Sequence, residues 1–228
     1  MVAVLIVVVA ICMVLPPMLR TSEVTKSTVD REPLPKQYVT MSTRWFEDQI
    51  GWIRSPASVE RGMRYFYDKT GVQPYLVLTE DIHGDYSPTG QAVWDYGNEV
   101  YNELFSDEGH LVFVFQCQDN STQYNMAGVT GAMAKTVVDE EALEILYDYF
   151  DHYFNSDVSD DEMFSLSFQK AADRMMTRTP SYGWMAILAI AVIVILIVVF
   201  LVLRLIYRRR KEEAEETERI LSTPIDRL

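Results

Sequence analysis

The sequence is poor in the residues that most enzyme chemistry needs. It has two cysteines, Cys12 and Cys117, and three histidines, His83, His110 and His152, in 228 residues. Cys12 lies inside an N-terminal apolar run, so the two thiols build no disulfide framework, and Cys117 reads as a small buried residue of a strand. The histidines are far apart in sequence and form no zinc-binding spacing. Cys117 is followed by "QDNSTQ" without an arginine, so there is no Cys-x5-Arg phosphatase loop. There is no Asp-x-Asp-x-Thr nucleophile, and "GVTG" at 128–131 is too short and lacks the lysine of a phosphate loop. Nucleophilic catalysis is not what these motifs point to.

Positive charge is scarce in the middle of the chain. From Thr40 to Tyr182 there are 9 Lys plus Arg against 24 Asp plus Glu, a net of −15, while the whole chain carries −13. This argues against nucleic acid and against adhesion to anionic lipid, and it suits cation capture or simple solubility at a membrane surface.

Charge of either sign is missing from residues 184–203, "WMAILAIAVIVILIVVFLVL". At the helical rise this run is about 30 Å long, the thickness of a bilayer core. A soluble core helix is rarely apolar on every face. Trp184 and Tyr207 stand where interfacial aromatics belong, Arg204 can snorkel, and "RRRK" follows at 208–211. The sequence therefore predicts a transmembrane helix over 184–207. It also predicts a cytoplasmic tail over 208–228, and residues 21–183 outside the cytoplasm. A second apolar run, residues 1–19, reads as a signal anchor or signal peptide, although no Lys or Arg precedes it.

Between the two runs, residues 20–42 carry Pro33 and Pro35 with no periodicity and read as a linker to a domain over 43–177. Residues 43–53 read as an aromatic lead-in. Helices are expected at 55–71, 89–105, 139–154 and 159–176. The first is opened by Ser55 and Pro56 and closed by Gly71, and the last is opened by a Ser159–Glu162 capping box. The second helix is expected to bury Val93, Tyr96, Val100 and Leu104. Strands are expected at 72–82, at 110–118, which is apolar on both faces, and at 124–131 as the hairpin partner. A strand–helix–strand step implies a parallel pair with a right-handed crossover. The expected fold is α/β: a small mixed sheet covered by helices.

Two acidic clusters are candidate sites. Glu80, Asp81, His83 and Asp85 follow the first strand at the edge where ligands usually bind, with Asp119 and Asn120 at the end of the next. Asp107, Glu108, Asp139 and Glu140 come from two loops that the hairpin brings to one sheet edge beside backbone carbonyls, a donor set suited to Ca²⁺. The competing reading is local: Asp107 as a turn former and Asp139 as a helix cap.

The order of "TGVQPYLVLTEDI", "DEGHLVFVF", "AGVTGAMAKTVVDEEALEIL" and a late "F…A" helix resembles the TPM domain, over residues 43–176. That family is named for a thylakoid lumen protein, a photosystem II repair protein and an acetylcholine-receptor modulator. The family usually has Asn or Asp before the glycine, where this chain has Glu108. It often has Arg on the hairpin strand, where this chain opens with Gln123 and Tyr124. The resemblance implies a membrane-anchored module, an attached phosphatase label, and divalent-cation binding in some members. The expectation is an extracytoplasmic binding or scaffolding module that assists a membrane-protein partner, with Ca²⁺ at Asp107, Glu108 and Asp139. The alternative is a weak metal-dependent phosphatase.

Overall fold

The computed structural model describes residues 24–118, 121–179 and 183–221. Asp119, Asn120 and the N-terminal run at 1–19 lie outside the described residues. The elements are β1 (Phe46–Asp48), α1 (Pro56–Thr70), β2 (Gln73–Thr79), α2 (Gly90–Leu104), β3 (His110–Cys117), β4 (Tyr124–Thr130), α3 (Glu140–Phe154), α4 (Asp160–Met175) and α5 (Gly183–Leu221). Single 3₁₀ turns lie at Lys36–Tyr38 and Ala134–Thr136. The first eight elements fall in one unit, to Thr179, and α5 in a second.

The class is mixed α/β, as the element pattern implies. The sheet order is β1-β2-β3-β4. β1 and β2 run parallel to their successors, and β4 returns antiparallel to β3. Strict alternation in β2 and β3 sorts side chains to two faces. Leu76, Leu78, Leu111, Phe113 and Phe115 face α1, α3 and α4, while Tyr75, Val77, Val112 and Val114 face α2. All seven residues of β2 and all eight of β3 are buried, which is why neither shows a polar side.

Both crossovers step the same way, from β1 to β2 to β3, yet α1 and α2 lie on opposite faces. The two crossovers therefore have opposite hands, and one departs from the right-handed rule. The three-residue β1 sits within the segment expected only as a lead-in.

Local signals account for most helix ends. Gly71 closes α1 at φ 72°, a left-handed conformation that favours glycine. Ser55, expected to cap α1, makes no side-chain cap bond; the Asp161 carboxylate accepts from the Arg54 and Ser55 N–H groups instead, at 3.0 Å each. Thr89 and Asp139 cap α2 and α3, and the Ser159–Glu162 box on α4 is formed. The buried stripe of α2 is Val93, Gly97 and Tyr101, rotated from the one expected, and Leu104 is exposed. Tyr101 turns inward because its hydroxyl donates to the Asp107 carbonyl at 2.9 Å.

The segment expected as a linker, 20–42, is built into the domain over its described part. Thr25 N–H donates to Asp148, Ser27 Oγ to the Met175 carbonyl, and Leu34 N–H to the Thr70 carbonyl. Arg31 is its anchor. The side chain is 1% exposed and pairs with Asp139 at 2.7 Å and Glu141 at 3.1 Å. These partners lie more than 100 residues away in sequence, so no local pattern betrays them.

In the second unit, α5 is long enough to cross a membrane and holds within Ala191–Glu215 an 18-residue window of mean hydropathy 2.7.

Candidate functional site

Asp107 opens the β3 hairpin and is held from three sides. Its Oδ1 accepts from Gly109 N–H at 3.0 Å and lies 2.7 Å from His110 Nδ1, while Oδ2 accepts from Thr40 N–H at 2.8 Å. Burial pushes its carboxyl up, but these donors prevail and leave it below its ordinary value. His110 is fully buried, stacked on Phe105 at 3.8 Å, with Nε2 3.2 Å from Gln73 Oε1. Burial lowers its pKa, and the Asp107 carboxylate opposes that shift. A Cβ at Gly109 would strike the Tyr38 carbonyl, so only glycine lets the N-terminal segment pass over this turn.

Glu108 points to the other loop. Its Oε2 accepts from Ala132 N–H at 2.7 Å and its carbonyl from Ala134 N–H at 2.8 Å. Asp139 accepts from Ala142 N–H at 2.9 Å as the α3 cap, and from Arg31. The hairpin does bring the two loops together: Gly131 N–H donates to the His110 carbonyl at 3.2 Å. It brings each acid to its own protein donors. Among the described residues, no group of three or more His, Cys, Asp and Glu side chains is gathered as a metal ligand set. Asp107 and Asp139 act here as turn former and helix cap.

The loop after β2 is organised by hydrogen bonds. Gln116 Nε2 donates to the Glu80 carbonyl at 2.7 Å, and Asp81 accepts from Gly84 N–H at 2.5 Å. His83, at φ 53°, lies 2.9 Å from Glu99, both side chains exposed to solvent. Cys117 is fully buried, its thiol directed to the Gln118 and Gln123 carbonyls.

A cleft of about 300 Å³ opens beside β4. Trp94 and Asn98 of α2 wall one side, and Lys135, Asp139, Glu140 and Leu143 wall the other. Its floor is the strand itself at 128–130. Trp94 is 46% exposed, an aromatic that the α2 core does not claim. Along α3, Glu140, Glu144, Tyr147 and Asp151 recur at i, i+4, i+7 and i+11, which places them on one ridge. That ridge runs beside β4: Tyr147 Oη accepts from Gly128 N–H at 2.8 Å, and the Tyr124 hydroxyl donates to Asp151. Asp139 and Glu140 of this cleft were candidates in the sequence, whereas Trp94 and the rest of the α3 ridge were not. The acidic spacing on α3 was visible, but its position next to a strand edge was not. A shallower hollow of about 560 Å³ lies along α1, where Arg64 pairs with Glu60 and stacks over Trp45.

No family model matches the chain, and no curated protein sequence matches it. Among solved structures, the chain is similar to the NMR structure of the N-terminal domain of the cg2496 protein from Corynebacterium glutamicum. The TM-score is 0.43 at 9% identity, covering 71% of this chain and 93% of that chain. A likeness of that strength carries no functional argument.

Proposed function

We propose that the chain is a membrane-anchored binding module of the TPM type, with its α/β domain outside the cytoplasm and its C-terminal tail inside. The observation that carries this reading is the order of parts along the chain. A folded acidic domain is followed by a helix apolar on every described face, with Val192 to Leu203 mostly near half exposed or more, and then by the cationic cluster 208–211. Such a tether confines the domain to a layer next to the bilayer, so its partner is a membrane protein or a segment of one exposed at that surface. The run at 1–19 belongs to this reading as a signal anchor or signal peptide. Binding without turnover is supported by what the polar groups do. Asp107, Glu108 and Asp139 are hydrogen-bonded to backbone or to Arg31, and His110 and Cys117 are buried.

A photo-crosslinking residue in place of Trp94, on the exposed cleft wall, tests the reading in native membranes. The expected result is a discrete adduct with a membrane protein, lost when the domain is unfolded. Absence of any discrete adduct from Trp94 and from several other exposed positions would overturn it.

A further inference from the structure

The geometry points to the free edge of β4 as the docking site, and to an extended, Lys- or Arg-rich segment of the partner as its occupant; this rests on the binding-module reading above. β4 is an edge strand of seven residues, whereas the opposite edge, β1, has three. Short edges are a common protection against unwanted pairing, and β4 lacks it. Gly131 N–H donates to the His110 carbonyl. By the antiparallel alternation, Val129 and Ala127 then turn their backbone groups to Val112 and Val114. Met126, Gly128 and Thr130 turn theirs outward. Among the described residues, only the Gly128 N–H finds a partner there, the Tyr147 hydroxyl.

The cleft beside this edge has the form that strand addition requires: a line of backbone donors and acceptors flanked by room for alternate side chains. Its charge selects the occupant. The α3 ridge offers Glu140, Glu144 and Asp151 against one cation in the cleft wall, Lys135, and residues 40–182 around it carry −15. A segment alternating basic and apolar residues would pair its backbone with β4, direct its cations to the α3 acids and lay its apolar side toward Trp94. Tyr147 marks the place where the incoming carbonyl takes over the Gly128 N–H.

The test uses the full-length chain in nanodiscs of neutral lipid and a labelled nine-residue peptide alternating lysine and valine. Two further peptides have the same side chains but carry backbone N-methyl groups on one or the other alternate set of residues, which blocks pairing along one edge and leaves charge unchanged. The expected result is saturable binding of the parent peptide, lost at least ten-fold by one N-methylated set and kept with the other. Binding is also expected to fall at least ten-fold in an E140K/E144K variant, and to be absent for the glutamate–valine counterpart. Equal binding of both N-methylated peptides would show attraction by charge alone and overturn edge pairing. So would no binding of the parent peptide. If edge pairing fails while Trp94 still yields a discrete membrane-protein adduct, the binding-module reading survives and this site does not.

Discussion

Asp107 shows how one side chain decides between a site and a scaffold. Its two oxygens gather Thr40, Gly109 and His110, groups from the N-terminal segment, the turn and the start of β3. Asp107→Asn keeps the shape but replaces a charged acceptor and turns an amide N–H toward one of these donors. The expected loss is about 1–3 kcal/mol in urea unfolding, with faster exchange of the Thr40 amide. Unchanged stability would mean these bonds are not made in solution. The same contacts set the expectation for calcium. A cation at Asp107, Glu108 and Asp139 would have to displace Thr40, Ala132 and Arg31 as partners. The melting temperature is therefore expected to be the same with Ca²⁺ and with chelator. Stabilisation near the 2.7 kcal/mol or so given by ligand at about 100 times its dissociation constant would show that a cation binds there.

At the scale of elements, the N-terminal segment is the part least legible in the sequence. α3 and α4 were readable because one-sided burial imposes a 3.6 period on their side chains, and β2 and β3 because burial on both faces leaves short apolar runs. The segment 24–42 is polar and aperiodic, and what orders it is distant: Arg31 with α3 and α4, and Leu34 with the end of α1. The candidate acids were legible as turn and cap residues by type alone. Their partners were not, since Thr40 and Arg31 come from the stretch that looked like a linker. Gly71 joins the two stories. It was expected as a helix stop, and its missing Cβ also makes room for the Leu34 backbone. Gly71→Ala is expected to cost at least about 1–2 kcal/mol from the left-handed backbone alone. It should also expose the Leu34 amide to exchange, and a protected Leu34 amide in this variant would contradict the packing. Acid should loosen the same element. Burial raises the Glu141 carboxyl, but hydrogen bonds from Thr28 and Arg31 outweigh it and hold it at about 2, against an ordinary 4.5. The unfolded chain thus binds this proton more tightly. The contribution is whole above pH about 4.5 and is lost as pH falls through about 2. Stability measured against pH should fall over that window, and less steeply in Glu141→Gln. An equally steep fall in the variant would remove Glu141 from the account.

For the whole molecule, the proposed anchor would set what the domain can meet. The uncharged helix and the arginine cluster were plain in the sequence because a bilayer demands about 20 apolar residues and leaves cations on the cytoplasmic side. The cleft was not plain, because it is assembled from α2, β4, the turn before α3 and the first turn of α3. The most direct measurement of the central claim is sidedness in intact cells. Single cysteines are placed at exposed Ser156 in the domain and exposed Glu212 in the tail, in a Cys12→Ala, Cys117→Ala background. They are then treated with a membrane-impermeant maleimide. The account predicts that Ser156→Cys is labelled in intact cells and Glu212→Cys only after the cells are broken. Labelling of Glu212→Cys in intact cells, with Ser156→Cys protected, would place the domain in the cytoplasm and contradict it.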